Sequence, residues 1–204
     1  MAFATIDMTK GITGTIPVAN GGTGLASGTT GQFLKFTGTT TVASAAVDPG
    51  ITMADNWRIT SGATGVNTPL TSNWERVDTS GQGTIGSAMT QSSGVFSFGN
   101  TGIYQITFMA YLEGNDESRY NTINIMGTIN NSSYVSLSEN SQFHQSTQSN
   151  TAYACVMCST YFDVTDTSNC KVRFHYAPAT TNITLIGASS YNATNVMFIR
   201  LGDT

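Results

Sequence analysis

The sequence predicts an all-β protein, an antiparallel sandwich or jelly roll of eight to ten strands that follows an extended N-terminal arm. Apolar and polar residues alternate along several segments after residue 50, which is the periodicity of half-buried strands. Turn residues separate these segments at intervals of about ten residues. Ser, Thr and Asn account for 70 of the 204 residues. Together with Gly they are poor helix formers, so a helical protein is excluded.

The first 50 residues differ in composition from the rest of the chain. They hold nine glycines and repeated Gly-Thr steps, with no Trp, Tyr, Cys or His. Such a segment buries too little surface to offset its ordering entropy, so we expect identical arms of sister subunits or a larger assembly to hold it. The Asp48-Pro49-Gly50 turn marks the boundary. We therefore predict an attachment and oligomerisation arm over residues 1–50 and a jelly-roll knob over residues 51–204.

Within the knob the clearest strand is 103–112, where Tyr104, Phe108 and Leu112 fall on one face by the period of two. A second segment places Ile123, Ile125 and Ile129 on one face. The other predicted strands are residues 57–60, 74–77, 95–98, 134–137, 153–164, 171–176, 183–187 and 196–201. Polar stretches at 113–118 and 138–150 are predicted to be loops.

Charge and hydropathy exclude several classes of function. Eight Lys and Arg stand against 12 Asp and Glu, with no basic run, which excludes electrostatic binding of nucleic acid. No stretch approaches 18 apolar residues, so we expect no membrane insertion. The N-terminus lacks a basic start and an apolar segment of useful length, so we expect no signal peptide. The three cysteines are an odd number, which fits synthesis in a reducing cytosol.

One segment of the arm resembles bacteriophage structural proteins. Gly14-Thr15-Ile16-Pro17-Val18-Ala19-Asn20-Gly21-Gly22-Thr23-Gly24-Leu25, followed by Gly31-Gln32-Phe33-Leu34-Lys35, is similar to a recurrent segment of tail-fibre and other virion proteins. The resemblance covers about 25 residues and implies a place in a virion. The residues that we expect to anchor the protein there are the apolar ones of the arm, namely Ile16, Pro17, Val18, Phe33, Leu34 and Phe36.

The knob resembles the complement globular-head and tumour-necrosis-factor-like jelly rolls. The resemblance rests on Phe96-Ser97-Phe98 with Gly102-Ile103-Tyr104-Gln105-Ile106-Thr107-Phe108, and on a closing strand at 195–201. The Ser/Gln/Asn-rich stretch 138–151 departs from the family pattern. The resemblance implies a ten-stranded jelly roll that forms a homotrimer through one apolar, aromatic-rich face and serves recognition rather than catalysis.

Some strands are apolar on both faces, which indicates that their outer side is covered in an assembly. A homotrimer would provide this cover, and the alternative is a scatter of exposed apolar side chains. The residues that we expect at the trimer interface are Met109, Tyr111, Met197, Ile199 and Leu201.

Two loops are candidates for contact with a host receptor, since binding chemistry usually lies on loops of a rigid sandwich. In the stretch 138–150, amides and hydroxyls supply adaptable hydrogen bonds and Phe143 has a ring that could stack on a sugar. The second, weaker candidate is the turn 188–192. Ordinary surface loops are the alternative in both places. The candidate contact residues are Phe143, His144, Gln145, Tyr191 and Asn192.

No motif in the sequence indicates catalysis or a cofactor. Cys155 and Cys158 fall in a predicted strand, where residues three apart point to opposite faces and cannot bind one ion. The acidic loop at 113–117 could bind calcium through oxygen ligands, although its spacing matches no EF-hand and a solvated turn is the alternative. Neither His144 nor His175 pairs with a distinctive serine, so we expect no enzyme.

These observations together lead to one hypothesis and one alternative. The hypothesis is a trimeric bacteriophage surface fibre, assembled in the host cytoplasm and displayed on the virion, whose knob recognises a host glycan or protein. The alternative is a capsid decoration protein, a cement or head fibre, whose arm anchors to the capsid and stabilises it.

Overall fold

The regular structure of the described residues consists of 14 strands and contains no helix. The computed structural model describes residues 25, 28–39, 41–46, 50–147 and 149–204. Within them no helix is long and apolar enough to cross a membrane. The chain divides into two units, Met1–Pro49 and Gly50–Thr204, which are described separately.

The first unit contains one antiparallel hairpin. Strand β1 (Phe33–Phe36) pairs with β2 (Val42–Ala45), and Phe33 lies opposite Ala45. All four side chains of β1 are exposed, including those of Leu34 and Phe36. A two-stranded hairpin of this length has no second layer against which to bury these side chains and is marginal in isolation.

The second unit is an antiparallel sandwich of two sheets. Its strands are β3 (Met53–Ile59), β4 (Ala63–Thr64), β5 (Trp74–Arg76), β6 (Thr90–Ser92), β7 (Val95–Ser97), β8 (Gly102–Gly114), β9 (Ser118–Thr128), β10 (Val135–His144), β11 (Ala152–Val164), β12 (Lys171–Pro178), β13 (Thr184–Leu185) and β14 (Asn195–Gly202). One sheet has the order β10-β9-β12-β7-β6, and the other has the order β4-β13-β8-β14-β3-β5 with β11 on the free edge of β8. The chain crosses repeatedly between the sheets, and the predicted jelly-roll sandwich is confirmed.

Strand β8 pairs with three other strands of the seven-stranded sheet. It pairs with β11 from Gly102 to Gly114 along one edge, and with β14 and then β13 along the other. Its side chains alternate without interruption between buried and half-buried positions from Gly102 to Leu112. The alternation predicted from the sequence is therefore present along the whole strand.

The core between the sheets is centred on the ring of Phe96 in β7. This ring lies 5.1 Å from Trp74, 5.4 Å from Phe174 and 5.4 Å from Phe198, measured between ring centroids. Trp57 meets it edge-on at 5.5 Å. Edge-to-face and tilted contacts of this kind stabilise aromatic pairs beyond simple burial.

A tight turn between β6 and β7 positions this central ring. Ser93 and Gly94 both have positive φ, at 49° and 77°, as a two-residue hairpin turn of the primed type requires. A Cβ atom at Gly94 would lie 2.0 Å from the carbonyl oxygen of Leu70, so only glycine fits there.

Two sequence predictions about strands are wrong in their extent. The stretch 138–150 was expected to be a loop, but β10 continues to His144 and the connection to β11 begins only at Gln145. Strand β10 is an edge strand with polar side chains, so the apolar alternation that reveals a strand is missing there. Ile129 was placed on the buried face with Ile123 and Ile125, yet it lies beyond the end of β9 and is 69% exposed.

A buried carboxylate links several segments at one edge of the sandwich. Asp55 of β3 is 2% exposed and accepts hydrogen bonds from the indole of Trp57 at 3.0 Å and the backbone N–H of Met89 at 2.8 Å. Arg76 of β5 donates to the same carboxylate at 3.2 Å and lies over the ring of Trp57. The charge is therefore fully paired, as a buried carboxylate needs to be.

The variant Asp55→Asn is expected to lower the free energy of unfolding by about 3 kcal/mol, because it leaves a buried network with a donor where an acceptor is needed. The matched control is Asp203→Asn, which removes an exposed carboxylate paired with Arg200 and is expected to cost less than about 1 kcal/mol. Urea unfolding followed by tryptophan fluorescence measures both. Equal losses in the two variants would contradict the structural role of Asp55.

Candidate functional site

The seven-stranded sheet carries apolar and aromatic side chains on its solvent side. Register places Met157 of β11 opposite Met109 of β8, and Tyr161 opposite Gln105. Gln105 lies opposite Ile199 of β14 on its other side, so three strands contribute to one surface. We call this surface the outer face, and it is formed by Met109, Tyr111, Cys155, Met157, Tyr161, Met197, Ile199 and Leu201.

The structure brings the five predicted interface residues together on the outer face. Met109 and Tyr111 are half-buried, and they alternate with the buried residues of β8. Met197 and Leu201 are 39% and 43% exposed. Leu201 lies at a β-bulge between Arg200 and Gly202, where β14 leaves regular register with β8.

Sequence reasoning missed the contribution of β11 to this face. Met157 is 55% exposed and Tyr161 is 68% exposed, and both lie on the same side of the strand as Cys155. The signal was present, because every second residue from Tyr153 to Met157 is large or apolar. Met157 and Tyr161 are thus more exposed than Met197 and Leu201 of the same face.

A groove borders the outer face where β10 ends and β11 begins. Its volume is about 420 Å³, and its lining residues are Gln142, Phe143, His144, Gln145, Thr147, Ala152, Tyr153, Ala154 and Cys155. Two of the predicted contact residues, Phe143 and Gln145, are exposed there. Phe143 and Tyr153 are 50% and 58% exposed, so the groove has two accessible aromatic rings.

His144 is not available for receptor contact, which corrects its assignment from the sequence. The side chain is 2% exposed, its Nδ1 lies 3.1 Å from the carbonyl oxygen of Asp116, and its Nε2 lies 3.1 Å from that of Ala152. Alternation along β10 causes this placement, because successive residues of a strand point to opposite sides and Phe143 therefore faces outward while His144 faces inward. The histidine thus fixes the groove wall from inside.

The second predicted contact region also lies beside a cavity. Tyr191 is 56% exposed in the connection between β13 and β14. Asn192 donates to the side-chain oxygen of Gln82 at 3.3 Å and lines a groove of about 390 Å³ together with Asn56 and Met197. No exposed aromatic ring lines this second groove.

The anchoring residues of the arm are only in part within the described residues. Phe33, Leu34 and Phe36 lie on β1 and are 41%, 54% and 69% exposed. Ile16, Pro17 and Val18 lie outside the described residues.

The cysteines are placed as their sequence spacing indicates. Cys155 is exposed on the outer face, whereas Cys158 is buried on the other side of β11, so the predicted opposite orientation is confirmed. Burial raises the pKa of the Cys158 thiol to about 12. Cys158 is therefore an inert core thiol at neutral pH.

The acidic loop forms the turn between β8 and β9. The side chain of Asp116 accepts a hydrogen bond from Asn182, and its backbone carbonyl faces His144. Across the described ranges, no three His, Cys, Asp and Glu side chains come together as a metal-binding group.

Comparison with known proteins identifies the fold but no family. No protein-family model matches the chain, and no curated protein matches it. Among solved structures, murine APRIL at pH 5.0 aligns with a TM-score of 0.53 and 13% identity, over 73% of this chain and 98% of the other. An Eiger TNF from S. frugiperda aligns with a TM-score of 0.51 and 12% identity, over 74% and 93%. The fold is a tumour-necrosis-factor-like jelly roll. The resemblance seen in the knob sequence is confirmed at this level.

On the five-stranded sheet, β12 carries the titratable side chain of His175. Its Nε2 atom is buried and has no hydrogen-bond partner among the described residues. Burial and, to a smaller extent, the charge of Arg173 lower the pKa of His175 below its ordinary value. The folded protein therefore favours the neutral ring.

This placement predicts a pH-dependent stability. In the unfolded chain the pKa of His175 returns to about 6.5, so protonation favours unfolding as the pH falls below that value. The variant His175→Gln is expected to reduce the fall in urea midpoint between pH 7.5 and pH 5.5, relative to the wild type. An identical fall in the two proteins would show that His175 does not contribute.

Proposed function

We propose that the protein is a trimeric surface component of a bacteriophage virion, in which the jelly-roll knob recognises the host cell and the N-terminal arm joins the particle. The exposed apolar side chains of the outer face are the observation that supports a trimer. On the inner side of the same sheet, Tyr104, Phe108 and Phe198 are fully buried, whereas the outer side leaves Met157 and Tyr161 more than half exposed. Apolar patches of this kind mark association surfaces in proteins.

A homotrimer fits this surface better than a monomer does. The outer face lacks charged side chains at its centre, as the core of a subunit interface does. In a closed threefold assembly each copy presents this face to a different surface of the next copy, which covers all three faces at once. The likeness to tumour-necrosis-factor-like jelly rolls supports the same arrangement.

The virion part of the proposal rests on the arm. Its sequence resembles a segment of phage structural proteins, and its hairpin leaves three large apolar side chains exposed. Attachment to virion proteins would bury these side chains and offset the cost of ordering a Gly- and Thr-rich segment.

The recognition part of the proposal rests on the knob surface, and we propose no enzymatic activity. The exposed side chains around the groove are amides, hydroxyls and aromatic rings, which bind by hydrogen bonding and stacking. Residues of these types are held by a rigid sandwich at the end of two long strands. This arrangement suits a binding surface.

The trimer is tested by sedimentation velocity at several protein concentrations. The wild type is expected to have three times the mass of the 21.6 kDa chain. The variant Met157→Lys places a charge at the centre of the outer face and is expected to sediment as a monomer. The control Ile129→Lys changes an exposed apolar residue beyond β9 and is expected to remain a trimer.

Two results of that experiment would contradict the proposal. A wild-type protein that is monomeric at all concentrations would contradict the proposed trimer. A Met157→Lys variant that stays trimeric, with circular dichroism like that of the wild type, would place the interface elsewhere than the outer face.

The virion role is tested by quantitative mass spectrometry of purified particles. We expect the full-length protein at a few copies per hundred major capsid subunits, and we expect a chain that lacks residues 1–48 to be absent although it still trimerises. A ratio near one copy per capsid subunit would favour the alternative, a capsid decoration protein. Incorporation of the truncated chain would contradict anchoring by the arm.

A further inference from the structure

The groove between the end of β10 and the start of β11 has the chemistry of a binding site. Its volume of about 420 Å³ lies within the range of about 300–1,000 Å³ that ligand clefts span. It contains two exposed aromatic rings, two glutamine amides and one threonine hydroxyl, set around a floor of small residues. The proposed function assigns recognition to the knob without naming a ligand for this groove.

The fold positions both aromatic rings. Alternation along β10 directs Phe143 outward and His144 inward. The buried His144 ring, whose nitrogens lie 3.1 Å from the carbonyl oxygens of Asp116 and Ala152, supports the backbone behind Phe143. Tyr153 stacks on Tyr111 with ring centroids 5.6 Å apart and an interplanar angle of 27°. A ligand that contacts these rings therefore loses little affinity to ordering them.

The polar groups of the groove are neutral. Apart from the buried His144, the lining residues carry no ionisable group other than the Tyr153 hydroxyl and the Cys155 thiol. Gln142 donates to the carbonyl of Phe143, which orients its amide at the rim. A charged ligand would find no counter-charge among these residues and would lose its hydration without compensation.

From these features we infer that the groove binds a neutral carbohydrate. The C–H groups on one face of a pyranose ring form a flat, slightly electropositive surface that packs on the negative face of an aromatic ring. The hydroxyl groups around the ring edge both donate and accept hydrogen bonds, as amides and hydroxyls do. Phe143 and Tyr153 supply the stacking surfaces, and Gln142, Gln145 and Thr147 supply the polar partners.

The position of the groove is compatible with the proposed trimer. Tyr153 lies opposite Glu113, beyond Met109, which is the last residue of β8 in register with β14. The groove therefore opens at one end of the outer face and not at its centre. The inference deepens the proposed recognition role and rests on it for its biological meaning, but sugar binding is measured independently.

Saturation-transfer NMR on the full-length protein tests the inference. The probes are glucose, galactose, mannose and N-acetylglucosamine, with glucuronic acid as the charged comparison. We expect saturable transfer to the ring protons of at least one neutral sugar, and weaker transfer to glucuronic acid. The variants Phe143→Ala and Tyr153→Ala are each expected to weaken that binding by about tenfold.

The matched control is Ile129→Ala, which removes an exposed apolar side chain beyond the end of β9, at the end of the β9–β10 pair opposite to the groove. It is expected to bind the sugar as the wild type does. A loss of binding in Tyr191→Ala, a change at another candidate contact residue, with none in Phe143→Ala would place the site elsewhere and overturn the inference. Absence of transfer to every neutral sugar would also overturn it. Loss of cell binding by Phe143→Ala without any sugar signal would assign the groove to a protein receptor instead.

Sedimentation of the same samples separates this inference from the proposed function. If the protein is a trimer that binds none of the sugars, the carbohydrate site is contradicted and the proposal of a trimeric knob is retained. A monomer that binds a neutral sugar with loss in Phe143→Ala supports the site and contradicts the trimer.

Discussion

The seven-stranded sheet carries apolar side chains on both faces, and the described residues of the knob bury only one of these faces. On β8 the side chains of Tyr104, Phe108 and Leu112 are fully buried against the five-stranded sheet. The intervening positions include Met109 and Tyr111, which continue into the exposed rings and thioethers of β11 and β14. Apolar surface left in water costs about 25 cal/mol for each Å² that burial would remove. Burial of the outer face in an assembly would therefore be favourable.

Prediction from the sequence succeeded where one face of a strand is apolar and failed where neither is. Strands β8, β11 and β12 were found close to their observed bounds, since buried and exposed side chains alternate along them. Strand β10 was cut short, because its Ser, Glu and Asn side chains give no period of two in hydrophobicity. Backbone pairing with β9 creates that strand, and pairing between distant segments is invisible in a local pattern.

The candidate groove shows that a strand hidden in a polar stretch also prevents correct prediction of which single residues are exposed. Phe143 and His144 are neighbours in a polar stretch, and both were assigned to receptor contact. Because β10 continues through this stretch, strand alternation separates them, so that one ring is half exposed and the other is buried between two carbonyl groups. The polar residues of the segment give no sign of a strand, so this alternation could not be applied to them from the sequence.

The chain has few charged residues, and this affects how fast the knob surface would encounter a binding partner. Of its eight Lys and Arg residues, Arg58, Arg76 and Arg200 are paired with carboxylates, and Arg173 lies over the ring of Tyr134. The remaining surface is formed largely by hydroxyls and amides, which produce little long-range field. Encounter with a partner is then not accelerated by electrostatic steering and depends little on salt. In the proposed trimer, weak individual contacts would be compensated, because three identical grooves on one particle would bind a repetitive surface with an avidity that exceeds the affinity of each.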